Sequence, residues 1–307
     1  MAAECDPRGA SLASDAIKRG AVSANTRSLN AGKHEIARSA LPLRAEIGRQ
    51  LRRRRTIGIF LVLTVLPLVL LLAFWLGDDG SDSGERGFVD LAQESGANLV
   101  VFTLFASTSF LLIVIVALFA GDTVPSEASW ASLRYLLAAP VRRERLLRQK
   151  LVVAALSSVV ALVFLPAWTL VVGGIAYGWG PYVGPTGSQI GWPDFALRLL
   201  IIISYLLLEL SVVGAFAFML GVLTDAPLAA VGGAVLLMIL CAILDSITAL
   251  GGIRQGLPGH YAYAWADALA PTVDYSDMIT GTLWSIGYAI IAVWFAVWHF
   301  LRKDITS

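Results

Sequence analysis

FALRLLIIISYLLLELSVVGAFAFMLGVL, residues 195–223, carries only two charged side chains, Arg198 and Glu209. A hydrocarbon core about 30 Å thick asks for about 20 apolar residues rising about 1.5 Å each. This run exceeds that length, so it reads as a membrane span. Working outward, five more stretches qualify: 57–76, 98–120, 151–179, 226–250 and 279–301. The chain as a whole is 57% apolar and 15% charged, with a mean hydropathy of +0.73. Soluble domains sit nearer half and a quarter. No water inside lipid can satisfy an open backbone, so helices must supply the spans. The sequence predicts an all-α polytopic membrane protein with six transmembrane helices.

Charge distribution orients it. Before the first span lie Arg38, Arg44, Arg49 and Arg52–Arg55. The loop after the second carries Arg134, Arg142, Arg143, Arg145, Arg148 and Lys150, and the tail after the sixth carries Arg302 and Lys303. The other loops hold only Arg86 and Arg254, while 78–94 is acidic. Basic loops stay inside, so both termini and the 121–150 loop are expected in the cytoplasm of a multi-pass inner or plasma membrane protein. No apolar run precedes residue 57, so no signal peptide is expected. Cys5 and Cys241 form no disulfide framework. The Ala, Arg and Val content hints at a bacterial source.

Residues 1–32, rich in Ala, Ser, Asn and Gly without period, are expected to be a disordered cytoplasmic N-terminus. Over 33–56, Ile36, Ala40, Leu43, Ile47 and Leu51 recur at helical spacing opposite charged residues. That predicts an amphipathic interfacial elbow helix, the alternative being a flexible basic stop signal. The membrane domain is expected over 57–301 and a short tail over 302–307. A Gly, Pro and aromatic loop joins the third and fourth spans. Before the sixth span, 251–278 is too apolar for a solvated loop and too broken for a span, so short or re-entrant helices are expected. No internal repeat is visible.

Enzyme signatures are missing. His34-Glu35 starts like a zinc-protease HExxH, but Arg38 stands where the second histidine belongs. No GxSxG, CxxC or GxxxxGK[ST] occurs, so the chain is expected to be no enzyme and to bind no ATP in the P-loop manner. His260 with Asp267, Asp274 and Asp277 can be imagined as an external metal site. Isolated polar residues among aromatics are more simply interface decoration, and no metal or cofactor is expected in this chain.

Charges inside spans cost roughly 2.5–3.5 kcal/mol at mid-membrane. Arg198 lies toward the outer face and Asp245 near the outer end of the fifth span, both within reach of snorkelling. Glu209 reaches neither surface, so it is protonated, paired or facing a cavity. Functionally it would wall a translocation path, with Arg198 and Asp245 as further candidates; structurally it would be a helix–helix hydrogen bond. Small residues (Ser211, Gly214, Ala215, Ala229, Gly233) would permit close packing.

The stretch GDTVPSEASWASLRYLLAAPVRRERLLRQK, residues 121–150, is the amphipathic interruption. Pro125 favours a helix start, Thr123 or Ser126 can cap it, and Pro140 ends it. Trp130, Leu133, Leu136 and Leu137 form an apolar stripe away from Glu127 and Arg134. Taken alone, the arginines mean no more than headgroup anchoring.

The order Gly121-Asp122, Glu127, Ser132-Leu133-Arg134, Leu136-Leu137-Ala138-x-Pro140-Val141-x-Arg143, then Lys150, directly after the second span, resembles the signature of ABC-2 type transporter permeases. Ala131-Ser132 stands where that family usually has Gly-Thr. The resemblance implies the transmembrane subunit of an ATP-binding cassette exporter, whose coupling helix lies within 121–140. It implies a dimer of permeases, homomeric or heteromeric, docked on two separate P-loop ATPase subunits that hold ATP and Mg. Glu127, Trp130, Leu133, Arg134, Pro140 and Arg143 would then carry the ATPase contact. Membrane lipid is the other partner, and no nucleic acid is expected. Three alternatives stay open: a non-transporting mechanotransmission or maturation subunit of the same fold, a polytopic lipid enzyme, and a channel or secondary transporter. The last lacks the broken-helix pairs and inverted repeat expected of it. A mostly apolar bundle with one central carboxylate favours an amphiphilic or cationic cargo.

Overall fold

The computed structural model describes residues 48, 50, 53–77, 87–123, 143–224 and 226–302, without the side chains of 143–146. Residues 1–32, nearly all of the elbow and the 124–142 part of the loop lie outside them. So do Glu127, Trp130, Leu133, Arg134 and Pro140.

Nine helices are described: α1 (Arg54–Leu76), α2 (Phe88–Gln93), α3 (Gly96–Thr108), α4 (Leu111–Gly121), α5 (Arg143–Tyr177), α6 (Trp192–Glu209), α7 (Ser211–Leu223), α8 (Pro227–Ser246) and α9 (Ser276–Arg302). α1, α5, α6 with α7, α8 and α9 are long and apolar enough to cross a membrane; α3 and α4 qualify only together, bent by 61°. The chain is thus a helical membrane protein with five such helices, or six counting the bent pair as one span.

Local chemistry sets the starts. Pro193 and Pro227 occupy the first turns of α6 and α8, where a missing N–H costs nothing. Ser95 caps α3, its Oγ accepting from the Asn98 N–H. α7 is central, packing against α9, α4 and α8, with Val212, Val213, Ala217 and Phe218 buried. Small residues let these helices close in. A Cβ added at Gly121 on α4 would meet Val231 Cγ2 at 3.1 Å and the Val231 nitrogen at 3.3 Å. One added at Gly214 would meet Val116 at 3.3 Å, and one at Gly233 would meet Leu220 at 3.0 Å. α3 and α5 cross where Gly96 faces Gly173 and Gly174, a Cβ on Gly96 falling 2.6 Å from the Gly174 nitrogen.

Two expectations are corrected. The second span is no straight helix over 98–120: it breaks at Ser109-Phe110. Ser107 Oγ donates to the Thr103 carbonyl at 2.5 Å and Thr108 Oγ1 to that of Leu104 at 2.6 Å. Such back-bonding loosens a helix, and Phe110 leaves helical geometry at φ −140° and ψ −58°. The objection to a secondary transporter drawn from unbroken helices therefore loses part of its ground. The fold is also not purely helical. The loop after α5 forms an antiparallel pair, β1 (Tyr182–Val183) with β2 (Gln189–Ile190). Asn98 anchors it, its Nδ2 donating to the Val183 carbonyl at 2.7 Å and its Oδ1 accepting from the Val183 N–H at 2.9 Å.

Between α8 and α9 the expected short helices appear as two 3₁₀ segments, Thr248–Gly256 and Ala264–Leu269. This segment forms a cap over one end of the bundle. Trp265 is fully buried and packs on Phe105, ring centroids 4.4 Å apart.

Candidate functional site

Beneath the cap lies a cavity of about 500 Å³, walled by the α3–α4 break, the α6–α7 junction, α8 and the Pro258–Tyr263 turn. All of these walls but α8 are an interrupted helix or a turn. At the α6–α7 junction only Leu210 departs from the helix, and its N–H still bonds to the Leu206 carbonyl at 2.9 Å. In the cap turn Gly259 sits at φ +87°, a left-handed geometry that favours glycine. A Cβ there would also meet Met238 Cε at 3.3 Å.

Two of the three charged candidates meet here. Glu209, 5% exposed, lines the cavity and accepts a hydrogen bond from Ser285 Oγ at 2.5 Å. The structural reading of this residue is thereby realised, since the bond ties α6 to α9, and so is the cavity-facing one. Asp245 lines the same cavity. It takes the His260 ring Nδ1 at 2.5 Å and faces Arg254 Nε at 3.5 Å. These contacts hold the middle and the far end of the 246–260 stretch against the end of α8. His260, considered earlier with Asp267, Asp274 and Asp277, thus belongs to Asp245. Among the described residues no three His, Cys, Asp or Glu side chains converge as a metal set.

Arg198 is elsewhere. Its guanidinium donates to the Ala268 and Ala270 carbonyls at 3.0 Å each, closing the end of the second 3₁₀ segment. These contacts fasten the cap. Tyr205 Oη adds a bond to the Tyr261 carbonyl at 2.6 Å, and Tyr288 Oη bonds to that of Gly256. Sequence reasoning missed His260 and the Thr108–Phe110 break as cavity groups and Ser285 as the partner of Glu209. Ser107, Thr108 and Ser109, three hydroxyls in a row inside a span, were the available signal for the break.

A second polar site lies at the opposite end, where α1 begins and α4 finishes. Asp122 Oδ2 pairs with Arg55, and Arg53 donates to it at 3.4 Å. Gln50, Thr56, Thr123 and Lys150 are buried beside this end of the chain's helices. Arg143 opens α5, with its side chain outside the described residues.

A family model described as "Protein of unknown function (DUF2705)" matches residues 60–306. No curated protein matches the chain. That match runs from the second turn of α1 past the end of α9 and takes in every wall of the cavity, and the chain belongs to this family.

Proposed function

We propose that the chain is the membrane-spanning permease subunit of an ABC-2 type exporter, driven by separate ATPase subunits. The observation that carries this reading is the residue order from Gly121 through Glu127, Leu133, Arg134, Pro140 and Arg143 to Lys150. Two contacts support it. Gly121 is where α4 meets α8 closely, an added Cβ coming within 3.1 Å of Val231. Asp122 joins the basic lead of α1 to the entrance of the loop. A force applied to that loop would therefore enter α1, α4 and α8 at the end of the bundle opposite the cap.

In this reading the α3–α4 pair is the second of six spans, the Arg53 end faces the cytoplasm, and the cap faces out. Two permease copies and two ATPases form the working unit, with ATP and Mg on the ATPases and none here. Purification from native membranes should bring down a P-loop ATPase in stoichiometric amount. Glu127→Arg should leave insertion intact while uncoupling ATP hydrolysis from transport. A chain that transports without nucleotide and without an ATPase partner overturns the proposal. The α3–α4 break favours a second reading, an ion-coupled transporter with a discontinuous helix at its site. Uptake driven by an imposed ion gradient in vesicles holding this chain alone would select it.

A further inference from the structure

We infer that the cavity beneath the cap is a binding site for an amphiphilic organic monocation, with Glu209 as its counter-ion. It deepens the permease reading and rests on it only for transport; binding itself needs no ATPase.

The charges decide the sign. Asp245 faces Arg254 and His260, so its charge is already answered. Glu209 has Ser285 as its side-chain donor, and among the described residues no basic side chain lies within ion-pair distance of it. A buried carboxylate without a cation is expensive, and a ligand that carries the cation removes that cost. One carboxylate calls for one positive charge.

Size and lining decide the rest. About 500 Å³ falls within the roughly 300–1,000 Å³ that hold drug-sized ligands. Ile113, Leu206, Val213, Val235 and Met238 line the cavity and suit an apolar body, while Thr108, Ser109, Asp245, Ser246 and His260 add polar groups to the same wall. Phe110 and Ile243, 58% and 56% exposed, form the rim. The exposed part of the lining is thus mainly apolar, with Ser109 and Ser246 beside it, a route for molecules that partition into lipid.

Tetraphenylphosphonium is the probe, titrated by calorimetry against the purified full chain in nanodiscs, with the anion tetraphenylborate as its shape-matched control. Saturable binding of about one cation per chain is expected, with tetraphenylborate at least tenfold weaker. Glu209→Gln keeps an acceptor for Ser285 and loses the charge; it should weaken the cation at least tenfold. Ser285→Ala keeps the charge and should bind within about twofold of the parent. Ala242→Trp, on the cavity wall with Glu209 intact, should block binding. Equal affinity for the two probes, or parental binding by Glu209→Gln or Ala242→Trp, overturns the inference. Loss of co-purifying ATPase would sink the exporter reading while leaving this result untouched.

Discussion

Gly281 shows how finely single positions are set. A Cβ there would fall 2.6 Å from both Tyr205 Oη and Tyr261 Cβ, the two residues whose bond holds the cap turn down. Gly281→Ala should destabilise the protein by about 1–3 kcal/mol through overpacking. Gly287, on the same helix with nothing within 4 Å of an added Cβ, should accept alanine with a gain of a few tenths up to about 1 kcal/mol from helix propensity. Thermal midpoints in one detergent compare the pair. The sequence marks Gly281 and Gly287 identically; only the tyrosines arriving from α6 and the cap separate them. Glu209 was legible as a problem, because a carboxylate far from both ends of an apolar run must be answered somewhere. Its answer, Ser285, lies on a helix 76 residues away and leaves no local trace.

Among elements, the cap depends on a few polar fasteners. Arg198→Met removes two charge-assisted donors while keeping an apolar stem of similar length. Charged hydrogen bonds contribute roughly 1.5–3 kcal/mol each, so hydrogen exchange over 264–271 should accelerate severalfold while α7 stays protected. Asp274 precedes α9 and accepts from the Ser276 N–H at 2.9 Å. That bond holds its carboxyl below the ordinary carboxylate range. Because the folded-state value is depressed, the contribution is complete above the ordinary value and fades as pH falls through the lowered one. Protection factors at Ser276–Met278, corrected for intrinsic exchange, should therefore fall in acid, and Asp274→Ala should remove that fall. At the opposite end, Asp122→Arg with Arg55→Asp should restore stability that either change alone loses. A coupling of about 0.5–3 kcal/mol is expected from a double-mutant cycle. Helix lengths and most boundaries were legible because hydropathy and proline placement act locally. The break at Ser109 was not, since serine and threonine within a span are compatible with a straight helix until neighbours reward a bend.

For the whole molecule, topology is the prediction with the widest reach. With Cys5 and Cys241 replaced, single cysteines at Thr186, in the β1–β2 turn, and at Ser246, beside the cap, should react with an impermeant thiol reagent added outside intact cells. A cysteine at Arg302 should react only after permeabilisation. Labelling of Thr186 and Arg302 from the same side would refute the three spans between them.

The broken second span carries a cost during synthesis. α3 and α4 have 13 and 11 residues, about 20 and 16 Å at about 1.5 Å per residue. Neither crosses a core about 30 Å thick. The polar backbone exposed at the bend needs protein around it, yet α7 and α8, which supply the cover along α4, are translated more than 90 residues later. As it leaves the insertion machinery, this segment has every reason to be straight. The cavity is then an outcome of assembly: the nascent span bends only once its late-arriving neighbours accept Gly121. A ribosome-bound chain arrested before Trp192 should accordingly hold residues 96–121 as one continuous helix, which glycosylation-distance mapping would detect.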